Sequence, residues 1–143
     1  MKLVNQLLQT KGHEVWSVTP DTSVYQALKL MADKNIGSLL VLEADKLIGI
    51  FSERDYARKV ILKGKASKNT VVREIMSANV VYIRPDQSVE ECMALMTDKR
   101  VRHLPVLDGE KVIGIISIGD VVKAIISEQE FMIKQLENYI TRG

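Results

Sequence analysis

The chain repeats itself. Displaced by 65 residues, Val15–Ile61 lies over Val80–Ile126 without a gap, and 19 of the 47 paired positions are identical. Chance supplies roughly one match in fifteen to twenty at ordinary compositions. Duplication constrains the fold more than any local propensity, because each copy is one supersecondary unit with a face it cannot bury alone. Both copies read β-α-β-β-α. Short β-branched runs, Val15–Val18 and Val80–Ile83, stop at Pro20 and Pro85 and suit edge strands. Ser23-Val-Tyr-Gln26 and Ser88-Val-Glu-Glu91 match the capping box that opens a helix. Val24, Leu28 and Met31 then share one helical stripe, as do Val89, Met93 and Met96. Paired strands follow at Leu39–Leu42 with Leu47–Phe51, and at Leu104–Leu107 with Val112–Ile116. Asp108-Gly109 is a hairpin signal between the second pair. Closing helices are expected near Glu53–Ile61 and Ile118–Ser127.

Outside the copies, Leu3, Leu7 and Leu8 suggest a short amphipathic helix in the lead-in, residues 1–14. The linker, residues 62–79, holds a basic stretch and then a helical turn or two that Thr70 is expected to cap. The tail, residues 127–143, continues as a helix with Met132, Leu136 and Ile140 on one side. The fold class is therefore mixed α/β (α+β): two pseudo-symmetric repeats, 15–61 and 80–126, packed as one module.

Several functional classes are disfavoured at this level. The 143 residues carry 20 Lys+Arg against 18 Asp+Glu, too even a balance to argue for nucleic acid. Seven basic residues cluster from Arg54 to Arg73 with Asp55 the only acid, but Tyr56 alone is available for base stacking. No apolar run approaches a membrane span, and Met1–Lys11 lacks the apolar core of a signal peptide. One cysteine, Cys92, on a predicted helix face, suits buried packing in a reducing, cytoplasmic setting. His13 and His103 with one cysteine give no metal-ligand spacing, and no phosphate-cradling loop is present, so no catalytic cofactor and no enzyme activity are expected.

The motifs Ile48-Gly-Ile-Phe-Ser-Glu-Arg-Asp55 and Ile113-Gly-Ile-Ile-Ser-Ile-Gly-Asp120, with Thr19-Pro-Asp, Arg84-Pro-Asp and Val101-Arg-His-Leu-Pro-Val106, carry a family resemblance. The chain resembles a tandem pair of cystathionine-β-synthase (CBS) domains, a Bateman module, of the stand-alone kind. The resemblance implies a regulatory sensor that binds an adenine nucleotide (AMP, ADP, ATP or NAD(H)) in clefts between its repeats. It further implies a homodimer that signals to a regulated protein. A structural dimeric adaptor with degenerate clefts is the alternative.

Asp55 and Asp120 sit in the first turn of the closing helices, where a carboxylate also suits the positive helix end. Two acceptor oxygens match a ribose diol, and the resemblance gives these acids that role. Ser52 and Ser117, three residues earlier, read as N-caps, and the resemblance puts their hydroxyls in the cleft. Arg54 can pair with phosphate, whereas its counterpart Gly119 lets a ligand approach the backbone, so the two clefts should differ. The resemblance places Arg102 and His103 toward the phosphates, where the first repeat has Gly37 and Ser38. It places Trp16's strand along the adenine edge, with Ile36, Val81 and Val101 facing the base. Read from the residues alone, Trp16 is a core or interface side chain and Lys11 an exposed lysine just before that strand. Ile50 and Ile115, inside the quoted motifs, complete the expected ligand-binding set.

Overall fold

In the computed structural model, which describes residues 2–142, each repeat is finished by a segment from outside it. Met1 and Gly143, the outer ends of the lead-in and tail, lie outside the described residues. The chain divides into two compact units. One gathers the N-terminal segment up to Glu14, Tyr82–Asp108 and the chain from Ile113 on; the other holds Val15–Val81 and Gly109–Val112.

In the second of these units, β1 (Ser17–Val18) runs parallel to β2 (Ser38–Glu43), and β2 pairs antiparallel with β3 (Lys46–Ser52). The β2–β3 turn places Ala44 and Asp45 at φ of 51° and 63°. Two successive left-handed residues match the twist of a tight hairpin. Helix α2 (Val24–Lys34) buries Val24, Ala27 and Met31 and leaves Leu28 at the core's edge. Leu39, Val41, Phe51, Val60, Val72 and Ile75 complete this core. The linker belongs to it: Val24 N–H donates to the Thr70 carbonyl (2.8 Å) and Val72 N–H to the Thr22 carbonyl (2.8 Å).

The other unit repeats the plan with the lead-in helix α1 (Val4–Lys11) in the linker's place. Val4 N–H donates to Gln87 O (2.9 Å), and Val89 N–H to Lys2 O (2.9 Å). Val4, Leu7 and Leu8 are buried, together with Val89, Cys92 and Met96 of α4 (Val89–Lys99) and Leu104, Val106 and Ile116 of the hairpin β4 (His103–Asp108) and β5 (Lys111–Ser117). Helix α5 runs unbroken over Ile118–Arg142.

Several expectations are corrected. The Val15–Val18 strand shortens to Ser17–Val18, extended by one bond from Leu40 N–H to Trp16 O (3.3 Å). Val80–Ile83 forms only a single bridge, Ile83 with Val106. Pro105 explains the loss: it stands where the first repeat has Leu40 and has no N–H to give Val81. The capping box is complete at Ser88, where Glu91 returns to the Ser88 amide, but half-formed at Ser23, which accepts only the Gln26 amide. A carboxylate is the stronger acceptor. Thr70 caps nothing: its hydroxyl donates to Ala66 O, while Val71 starts a 3₁₀ turn (Val72–Glu74) and Glu74 binds the Val71 amide. The first closing helix is one α turn, α3 (Glu53–Tyr56), followed by a π turn over Ala57–Ile61. His103 is the first residue of β4 rather than preceding the strand, and Trp16 lies just ahead of β1.

Candidate functional site

Each unit has one strand-to-helix corner, built the same way. At the end of β3 the Glu53 N–H donates to Gly37 O (3.1 Å), and at the end of β5 the Ile118 N–H donates to Arg102 O (2.9 Å). These positions match under the 65-residue shift. Ser52 Oγ accepts the Asp55 N–H and Ser117 Oγ the Asp120 N–H, both at 3.1 Å. In return the Ser52 and Ser117 amides donate to Asp55 Oδ2 (3.0 Å) and Asp120 Oδ2 (2.8 Å). Both serines are thus N-caps, and both aspartates close the cap while facing the helix's positive end.

The surroundings differ. Asp55 is engaged on both oxygens: the Ser52 hydroxyl donates to Oδ2, while Ser77 Oγ (3.4 Å) and Lys59 Nζ (3.3 Å) reach Oδ1. Asp120 instead receives Lys11 from α1, on Oδ2, and no described residue bonds its Oδ1. Lys11 Nζ also donates to Ile115 O (2.6 Å). Burial works against the ionised Asp120, but the Lys11 and Ser117 bonds prevail and its carboxyl titrates below the usual range. Lys11 is exposed, as read from the residues alone, and it is at the same time the ion-pair partner of this corner. Beside it, burial and then the charge of Lys11 push the His103 imidazole below its ordinary pKa, with Asp120 acting the other way.

One unit thus assembles Lys11, Ile115, Ser117 and Asp120 into a bonded cluster, with Arg102 tied to the corner through its carbonyl and His103 electrostatically coupled to it. Gly119 follows Ser117 in α5, and a Cβ there would meet only Ser117 Oγ at 3.6 Å. Half-buried Val101 donates to Met96 O (3.1 Å). The other unit assembles Gly37, Ser52 and Asp55, and ties Ile50 by two backbone bonds to Ser77. There Trp16 and Ile36 pack against the core, Ser38 is buried, Val81 is half-buried and Arg54 is exposed, with no ion pair to a described residue. Lys34 covers the Trp16 ring at 4.3 Å, which supports a packing role. Sequence reasoning missed two contributors. Lys59 was legible as the i+4 partner of Asp55. Ser77 has no such signal, because its counterpart in the shift is Gly12.

A cleft of about 290 Å³ opens between α1 and α5, lined by Lys2, Thr10, Lys11, Asp120, Lys123 and Ser127 among others. Among the described residues no group of three His, Cys, Asp or Glu side chains is placed to hold a metal, and no helix is long and apolar enough to cross a membrane.

The same corner recurs on two repeated units, β-α-β-β-α in the first repeat and α-β-β-α in the second, which defines a tandem-domain architecture. The CBS domain family model matches residues 9–62 and 72–127, and the chain belongs to that family. A mitochondrial CBS domain-containing protein of Arabidopsis thaliana, CBSX3, is 39% identical over 98% of this chain and 72% of its own length. A CBS-domain protein from Burkholderia ambifaria MC40-6 superposes with a TM-score of 0.85 at 55% identity, covering 90% of this chain and 96% of that one. The CBS-domain structure NE2398 gives 0.85 at 54% identity, over 88% and 99%.

Proposed function

We propose that this CBS pair is a regulatory module that binds an adenine nucleotide at its Ser-x-x-Asp corners and passes the bound state to a partner protein. The observation that carries this reading is the open Oδ1 of Asp120, on a carboxylate already fixed in place by the Ser117 amide. A fixed acceptor with a free oxygen suits a ribose hydroxyl, because the carboxylate is already oriented when the ligand arrives. A CBS domain pair of the same fold, protein MJ0100, was solved with 5′-methylthioadenosine and S-adenosyl-L-methionine; at 24% identity and a TM-score of 0.78 it speaks for the fold's capacity alone. We read the module as non-catalytic, cytoplasmic and homodimeric. AMP, ADP, ATP and NAD(H) are the candidate ligands. The buried Cys92 thiol, pushed up to about 11 mainly by burial, is unsuited to nucleophilic work.

Titration calorimetry with AMP, ADP, ATP, NAD(H) and S-adenosylmethionine tests the reading. Binding of at least one adenine ligand, with a matching rise in melting temperature, is expected. Asp120→Ala should remove one site with the fold intact. Silence with all five ligands at millimolar concentration would favour the second reading, a structural adaptor. That reading draws on the long apolar exposure of α5, where Phe131, Leu136 and Ile140 are 64%, 61% and 75% accessible.

A further inference from the structure

The two corners neutralise their aspartates from different places. In the shift, Lys11 corresponds to Met76, and Lys59 corresponds to Ala124. Asp55 is met by a lysine of its own helical segment, one that also holds Ile75 O at 3.1 Å. Asp120 is met by a lysine from a separate helix, α1, seated on the carboxylate oxygen that also takes the Ser117 amide. Lys11 stands at the edge of the α1–α5 cleft, with Lys2 and Lys123 as further lining cations and Thr10 and Ser127 as hydroxyl donors. Neither Lys2 nor Lys123 forms an ion pair with a described residue. The cleft therefore holds three lysines against one carboxylate, and that carboxylate is the one facing the corner.

We propose that Lys11 is a latch that makes the Asp120 corner select phosphorylated nucleosides over uncharged ones. The inference rests on the nucleotide reading above and adds a rule of discrimination to it. A ribose diol needs both oxygens of Asp120, and Lys11 occupies one of them. An uncharged nucleoside that displaces Lys11 costs the charge-assisted bond between that ammonium and the Asp120 carboxylate and offers no anion in return, which opposes binding. A ligand carrying its own phosphate offers Lys11 a replacement anion, with Lys2 and Lys123 adding to the local positive potential. Discrimination then comes from a penalty on the wrong ligand as much as from attraction to the right one. At the Asp55 corner the matching position is Met76, and the lysine that meets Asp55 is Lys59 of the same helical segment, at 3.3 Å, so a latch from a separate helix is absent there.

The test compares AMP with adenosine by calorimetry on the wild-type chain, Lys11→Met, Lys11→Arg and Asp120→Ala. Asp120→Ala identifies which binding event belongs to this corner. Wild type should bind AMP at least tenfold more tightly than adenosine there. Lys11→Met, which installs the other repeat's residue, should weaken AMP and strengthen adenosine, bringing the ratio near one. Lys11→Arg keeps a cation and should keep the preference, so it guards against a fold defect in the methionine variant. If Lys11→Met shifts both ligands equally or neither, or if Lys11→Arg loses the preference while still folded, the latch is wrong and nucleotide binding stands. If wild type is silent with adenosine and with all five adenine ligands named above, the nucleotide reading fails and takes the latch with it.

Discussion

His103 shows how one side chain reports on this corner. The imidazole is half-buried and partly desolvated, and Lys11 and Arg102 oppose its protonation more than Asp120 favours it, so its folded-state pKa lies below the ordinary 6.5. In the unfolded chain the ring takes a proton near its ordinary value. Stability is therefore complete above that value and falls as pH drops through it toward the folded pKa, by at most about 1.4 kcal/mol per pH unit for a single group. Asp120 acts in a separate window. Its folded pKa is depressed, so its contribution is present above 3.8 and lost below, as pH falls through the folded value. Melting temperatures between pH 7.5 and 5 thus isolate the histidine. The wild type should lose stability across that range, and His103→Gln should flatten the curve. An unchanged slope in the variant would remove His103 from the cluster's electrostatics.

At the scale of elements, the two β-hairpins press matched glycines against the segments that precede the opposite repeats. A Cβ on Gly114 would stand 2.7 Å from Leu8 Cδ2, and one on Gly49 would stand 2.5 Å from Met76 Sδ and 3.2 Å from Ser77 O. Leu8 is fully buried and has little room to yield. Gly114→Ala should therefore destabilise by about 1–3 kcal/mol, the usual range for overpacking. Thermal melts check this directly; a variant as stable as wild type would mean that α1 is only loosely seated. These contacts mark where sequence reading stops. The hairpins, α2, α4 and both Ser-x-x-Asp caps were legible, because they rest on local spacing and on the duplication. The exchange of lead-in and linker between units was not, because hydrogen bonds such as Val4 to Gln87 join segments far apart in the chain. The lost strand at Val80–Ile83 was legible in principle, since Pro105 removes the amide that pairing requires. The π turn after α3 left no mark in the residue pattern, and Lys11's seat on Asp120 depends on where α1 packs.

For the whole molecule, α5 leaves more apolar surface than one chain covers. Its first turns bury Val121 and Ala124, and the helix packs on α4 and α1, but Val122, Ile126, Ile133, Leu136 and Ile140 are 40%, 48%, 56%, 61% and 75% accessible. Their spacing of four, seven, three and four residues keeps them along one side of a continuous helix. Phe131, Met132 and Tyr139 broaden the band. A band of this length on 25 helical residues exceeds the scattered exposure normal for a monomer. A second copy related by a two-fold axis covers such a surface with the same residues. We therefore expect a homodimer in which α5 meets its symmetry mate. Light scattering during size-exclusion chromatography at micromolar concentration should return about twice the 16.1 kDa chain mass. The double variant Leu136→Glu with Ile140→Glu places two like charges at the contact and should shift dissociation into the micromolar range or higher. Its circular dichroism and melting should otherwise resemble wild type, because neither residue is part of a unit's core. A wild-type mass of one chain, unchanged by ligand, would assign the exposed band to a different protein.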